Sequence, residues 1–137
     1  MKIILDSNIL FSALLRKSLT RKLILEYNGS FLFPSYIFHE IEKHQEELIR
    51  KSGMPKQHLN NLLNIILNKV EIVTEDKLKP YKDQAYTIIK DIDPNDTLFI
   101  ACALAYPGSV IWSDDRKLKT QKKVRIVNTE EMASMIT

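Results

Sequence analysis

Five short runs dominated by apolar residues punctuate the chain: Lys2 to Leu5, Phe31-Leu32-Phe33, Glu71-Ile72-Val73, Val110-Ile111-Trp112 and Arg125-Ile126-Val127. Each is too short for a helix and lacks the polar alternation of a half-solvated strand, so each reads as a strand buried on both faces. Longer stretches with helical spacing lie between them. Ser7 to about Tyr27 carries Ile9, Leu10, Ala13, Leu14, Leu23 and Ile24, divided into two helices at Arg16-Lys17-Ser18 and stopped by Asn28-Gly29. Tyr36 to about Lys51 reads as one helix ending at Gly53, and Pro55 opens another with Leu59, Leu62, Leu63, Ile66 and Leu67. Lys77 to Asp91 is helical with Pro80 near its start, Pro94 to Tyr106 is an apolar helix stopped by Pro107-Gly108, and Thr129 to Ile136 closes the chain. Strands alternating with helices predict an α/β fold with a central parallel sheet and helices on both faces. In such sheets ligands bind beyond the carboxyl ends of the strands.

Size and composition narrow the reading further. The 137 residues suit one domain spanning 1–137, with 45% hydrophobic and 27% charged residues, so disorder and fibrous structure are excluded. A net charge of +3 neither demands nor forbids a polyanionic partner. Cys102 is the single cysteine, which excludes an internal disulfide and predicts a reducing, cytoplasmic setting. No apolar run approaches the roughly 18 residues of a membrane helix, and Ile3-Ile4-Leu5 is too short for a secretory signal.

Acidic residues occupy the positions where a site is expected. Asp6 follows the first strand, Asp114-Asp115 follow Trp112-Ser113, and Asp93-Pro94-Asn95-Asp96 opens the apolar helix. Each also has a capping explanation. Asp6 or Ser7 would cap the helix after it, Asp93 suits an N-cap before Pro94, Asp96 falls in a first turn, and Asp114 could cap a short helix at 115–119. In the helix after Phe33, steps of about 100° from Ile37 put Ile41, His44 and Leu48 within about 40° of the buried stripe. Glu42 and Glu46 then face solvent, at about +140° and 180°, whereas Glu40, at about −60°, flanks the core, with Glu47 next at about −80°. From there Glu40 could pair at the surface or reach across the sheet edge towards Asp6. Carboxylates converging at one sheet end repel one another unless a cation sits between them. Mg²⁺ or Mn²⁺ answers that need, and such sites hydrolyse phosphodiesters.

These residues resemble the PIN domain, a family of small metal-dependent ribonucleases with a three-layer α/β/α sandwich, and the resemblance covers essentially the whole chain. Its signatures are matched by Ile3-Ile4-Leu5-Asp6-Ser7-Asn8, by Glu40 early in the helix after the second strand, by Asp96 opening the Ala-rich helix, and by Ser113-Asp114-Asp115. The resemblance implies that Asp6, Glu40, Asp96 and Asp115 are catalytic and hold Mg²⁺ or Mn²⁺, with Asp114 as a second candidate beside Asp115. Ser7, Asn8 and Ser113 would orient ligands or water. Asp93 is read as a helix cap. The resemblance also implies an RNA substrate, a VapC-like toxin role with a cognate antitoxin protein, and a homodimer.

From Arg116 to Arg125 six residues are basic, and Arg116, Lys117, Lys119, Lys122 and Lys123 form the candidate RNA-binding rim. Tyr36, Phe38 and Trp112 read as core or pocket wall, leaving no evident base-stacking platform. His39, His44 and His58 lack ligand-like spacing, and Cys102 reads as packing. Phosphotransfer folds fit poorly: a haloacid-dehalogenase motif would need Asp where Asn8 stands, and a receiver domain would need paired acids at the first strand. The remaining alternative is a catalytically silent RNA- or protein-binding module on the same fold.

Overall fold

The computed structural model describes residues 1–136. The apolar runs form β1 (Ile3–Leu5), β2 (Phe31–Pro34), β3 (Val70–Val73), β4 (Val110–Trp112) and β5 (Ile126–Val127). All neighbouring pairs are parallel, in the spatial order β3-β2-β1-β4-β5. The three central strands are buried along their whole length, as continuous apolar runs require when both faces are covered. One layer comprises α1 (Ser7–Leu15), α2 (Leu19–Glu26), α4 (Gln45–Ser52), α5 (Lys56–Leu67) and α9 (Thr129–Ile136), packed on one another. The other comprises α6 (Glu75–Leu78), α7 (Lys82–Ile89) and α8 (Thr97–Ala105), with α8 against β1, β2 and β4. The result is the expected α/β/α sandwich. Among the described residues, no helix is long and apolar enough to cross a membrane.

The topology sets the position of any site. From β1 the chain winds outward through β2 to β3, then crosses back to place β4 and β5 on the other side of β1. The winding therefore reverses between β1 and β4, and a crevice opens beyond their carboxyl ends. Their register pairs Leu5 with Trp112, so the next residues, Asp6 and Ser113, emerge side by side.

Three helices differ from the sequence expectation. The stretch expected as one helix from Tyr36 to Lys51 is two, α3 (Ile37–Lys43) and α4, broken at His44, whose φ of −104° and ψ of 9° leave the helical region. The break turns α4 onto α1, where Leu48 is buried and the His44 ring meets Phe11 edge-on at 5.4 Å. The helix expected from Lys77 begins earlier, at Glu75, and is interrupted by a 3₁₀ turn at Lys79–Tyr81, because Pro80 lacks an N–H and crowds the preceding turn. The helix expected from Pro94 likewise starts with a 3₁₀ turn, Pro94–Asp96. Tyr36 and Phe38, expected as core or wall, are 36% and 50% exposed; only Trp112 of that trio is buried, its indole donating to Thr129 Oγ1 at 3.0 Å.

Candidate active site

Asp6 is the anchor of the site. It is 5% exposed, and its backbone N–H continues the β1–β4 ladder by donating to Trp112 O at 3.1 Å. Its carboxylate does two jobs: Oδ1 accepts from the Asn8 N–H at 3.3 Å, capping α1, and Oδ2 accepts from Ser113 Oγ at 2.6 Å. Ser113 Oγ in turn accepts from the Asp115 N–H at 3.1 Å. One buried hydroxyl thus joins the acid after β1 to the acid after β4. Burial pushes the Asp6 pKa above its ordinary value, the Ser113 and Asn8 bonds oppose that shift, and the Asp115 charge adds to it.

Three further carboxylates converge here. Asp93, Asp96 and Asp115, all half-buried, offer oxygens that lie within 4.8 Å of one another. Asp93 Oδ1 caps the 3₁₀ turn through the Asn95 N–H at 3.0 Å, and Asp115 Oδ1 accepts from the Lys117 N–H at 3.0 Å. Asp96, which leads into α8, makes no capping bond with its side chain. Its pKa is pushed up to about 7, first by burial and then by the charges of Asp6, Asp93 and Asp115. Four carboxylates share one corner of the fold, and the charges of the other three help to hold Asp96 towards its protonated form. An all-oxygen donor set of this span fits a small divalent cation, whose opposite ligands stand about 4 Å apart.

Asp93, which sequence reasoning set aside as a cap, is both a cap and a member of this group. The signal was its i, i+3 spacing to Asp96, which places two side chains on one side of a helical turn. The Asp114 and Asp115 carboxylates part company. Both Asp114 oxygens are held by Thr129, at 2.7 Å from its N–H and 2.8 Å from its hydroxyl, so Asp114 fastens the start of α9. The short helix after it is capped by Asp115, not by Asp114.

Glu40 is not brought into the Asp93–Asp96–Asp115 group. It accepts a hydrogen bond from the Tyr36 hydroxyl and lies 3.4 Å from His44 Nε2, while His44 Nδ1 lies 3.5 Å from Glu47. The acceptor carboxylate raises the Tyr36 pKa and keeps the hydroxyl a donor. Glu40 shares a cleft of about 300 Å³ with Ser7, Asn8, Phe11 and His44. A second cleft, of about 280 Å³, holds Ser113, Asp115, Arg116, Lys119 and Asn128.

The basic segment is divided by the topology. Arg116, Lys117 and Lys119 follow β4; Arg116 and Lys119 line the cleft that holds Asp115, with Lys119 paired to Glu131, and Lys117 meets Asp115 through its backbone N–H. Lys122 and Lys123 precede β5, and a cleft groups Lys123 and Arg125 with Pro107, Gly108 and Ser109, which precede β4. In a parallel sheet that is the end opposite Asp6. Lys122 and Lys123 therefore do not border the acids as the sequence reading supposed. Cys102 is buried in α8, and burial pushes its thiol pKa up to about 12.

Comparisons with known proteins agree with this fold. The family model described as PIN domain matches residues 4–136. VapBC2 from Rickettsia felis, bound to a DNA fragment from its promoter, is similar at a TM-score of 0.70 and 20% identity over 93% of this chain and 98% of that one. DNA-bound VapBC from Salmonella typhimurium is similar at a TM-score of 0.70 and 15% identity, covering 94% and 98%. A comparison with curated proteins finds no match.

Proposed function

The chain belongs to the PIN-domain family, and from that premise we propose that it is a metal-dependent endoribonuclease acting as the toxin of a toxin–antitoxin pair. The observation that carries the proposal is the convergence of the Asp93, Asp96 and Asp115 carboxylates within 4.8 Å, beside buried Asp6. A bound Mg²⁺ or Mn²⁺ would supply charge neutralisation on the phosphate and an attacking water of lowered pKa. Asp6, Asp96 and Asp115 are the proposed ligands, joined by Asp93. Glu40 acts from the adjoining cleft, with Ser7 and Asn8 at its mouth. Ser113 keeps Asp6 and Asp115 in register through its two hydrogen bonds. Arg116 and Lys117, with Lys119, hold the phosphate backbone without reading sequence. Cleavage leaves a 5′-phosphate and a 3′-hydroxyl.

The structural neighbours are VapBC assemblies, which supports a cognate antitoxin as the partner of this chain. We extend the proposal to a homodimer in a reducing cytoplasm, the setting that lone, buried Cys102 suits.

The test is cleavage of a mixed structured RNA pool with Mg²⁺ or Mn²⁺, comparing the unaltered chain with Asp6→Asn and Asp96→Asn. Activity should disappear with chelator and in both variants. Equal cleavage by the variants would overturn the assignment of the acidic cluster. One observation favours a second reading, a silent binding module: Glu40 is already engaged by Tyr36 and His44. That module would give no cleavage of any RNA while still binding it.

A further inference from the structure

We propose that the Tyr36–His39 ring pair at the start of α3 is a stacking platform for an unpaired nucleobase next to the scissile phosphate. The proposal rests on the ribonuclease reading above and adds to it the residues that would receive a base. Ser35 and Tyr36 directly follow β2, which pairs with β1, so they emerge at the same sheet end as Asp6. Tyr36 is 36% exposed and His39 is exposed, although Ile37 between them is fully buried. The rings lie 5.6 Å apart at 33°, open to solvent.

Direction ties this pair to Glu40. At about 100° per residue from Ile37, Glu40 lies at about −60°, Tyr36 at about −100° and His39 at about −160°, all on one flank. Phe38, also exposed on α3, lies at about +100°, on the opposite flank. The Tyr36 hydroxyl donates to Glu40, so the ring stands beside a residue of the proposed catalytic mouth. A base laid on this platform would stand beside the cleft that Glu40 shares with Ser7 and Asn8. A base inside a duplex has no free face to offer, so the platform selects single strands, loops and bulges.

The experiment measures binding, so it is independent of turnover. Fluorescence anisotropy compares a labelled oligoadenylate with an abasic strand of equal length, both in chelator to prevent cleavage. The unaltered chain should bind the oligoadenylate about tenfold more tightly, within the range that one stacked base supplies. Tyr36→Ala should remove that preference while leaving abasic binding unchanged. Tyr36→Phe, which keeps the ring and loses the hydroxyl, and Phe38→Ala should both retain it. Equal binding of the two strands by the unaltered chain would overturn the platform even if RNA is cleaved. So would Tyr36→Phe losing as much as Tyr36→Ala, because the effect would then run through Glu40. Base preference without cleavage would instead leave the platform standing and remove the ribonuclease reading.

Discussion

Asp96→Asn should stabilise the metal-free protein, and only above acidic pH. The Asp96 carboxyl has an ordinary pKa of 3.8 and a folded value of about 7, set mainly by burial and then by Asp6, Asp93 and Asp115. Because the folded value is raised, the native state keeps a proton that the unfolded chain has lost throughout that interval. Stability therefore falls as pH rises from about 4 to about 7, and the whole cost is present above it. At about 1.4 kcal/mol per tenfold change, the gap corresponds to about 4 kcal/mol for a fully enclosed group. Asp96 is only half-buried, and solvent screening reduces the cost to about 1–2 kcal/mol. Asparagine keeps the shape and carries no charge. In chelator near pH 8 the variant should melt about 3–8 °C higher, and the difference should close towards about pH 4. Thermal unfolding followed by circular dichroism across that range is the assay. A variant no more stable near pH 8, or a difference independent of pH, would refute the electrostatic account of this corner.

Ser113→Ala removes the hydroxyl shared by Asp6 and Asp115 and leaves a buried carboxylate short of a donor; urea unfolding should show a loss of about 1–3 kcal/mol. Asp115→Asn should abolish thermal stabilisation by Mn²⁺, whereas Asp114→Asn should retain it and destabilise the chain by weakening the Thr129 contact; melting curves with and without Mn²⁺ separate the two. Neutralising Arg116 and Lys117 should weaken RNA binding and flatten its salt dependence by about one logarithmic slope unit per lost contact, and the same change at Lys122 and Lys123 should leave both unaltered.

The layered fold was legible because apolar runs at Ile3-Ile4-Leu5 and Val110-Ile111-Trp112 admit few alternatives to a sheet covered on both faces. Their trailing acids could be located for the same reason, since strand ends are where a parallel sheet exposes backbone. What stayed hidden depends on tertiary direction. Helical spacing runs smoothly through His44, and nothing local announces that packing against Phe11 and burial of Leu48 on α1 go with a break there. Tyr36 and Phe38 look like core by residue type, yet they stand at the start of a helix so short that Ile37 alone is fully buried. Asp93 illustrates a different limit: capping and ligation use different lone pairs of one carboxylate, so the two roles do not exclude each other. The basic segment misled because adjacency in sequence hid the traverse from one sheet end to the other between β4 and β5.

The hydrogen bond from Ser113 to Asp6 joins residues 107 positions apart, which has a consequence for the chain during its own synthesis. At translation speeds of about 5–20 residues per second, roughly 5–20 s separate the making of Asp6 from that of Ser113. Throughout that interval β1 lacks the neighbour that completes it, and the acids after β4 do not yet exist. A nascent chain, or one released early by a truncated message, carries Asp6 and Glu40 but no assembled carboxylate corner. Any activity that needs this corner therefore stays silent until β4 and the acids after it have been made.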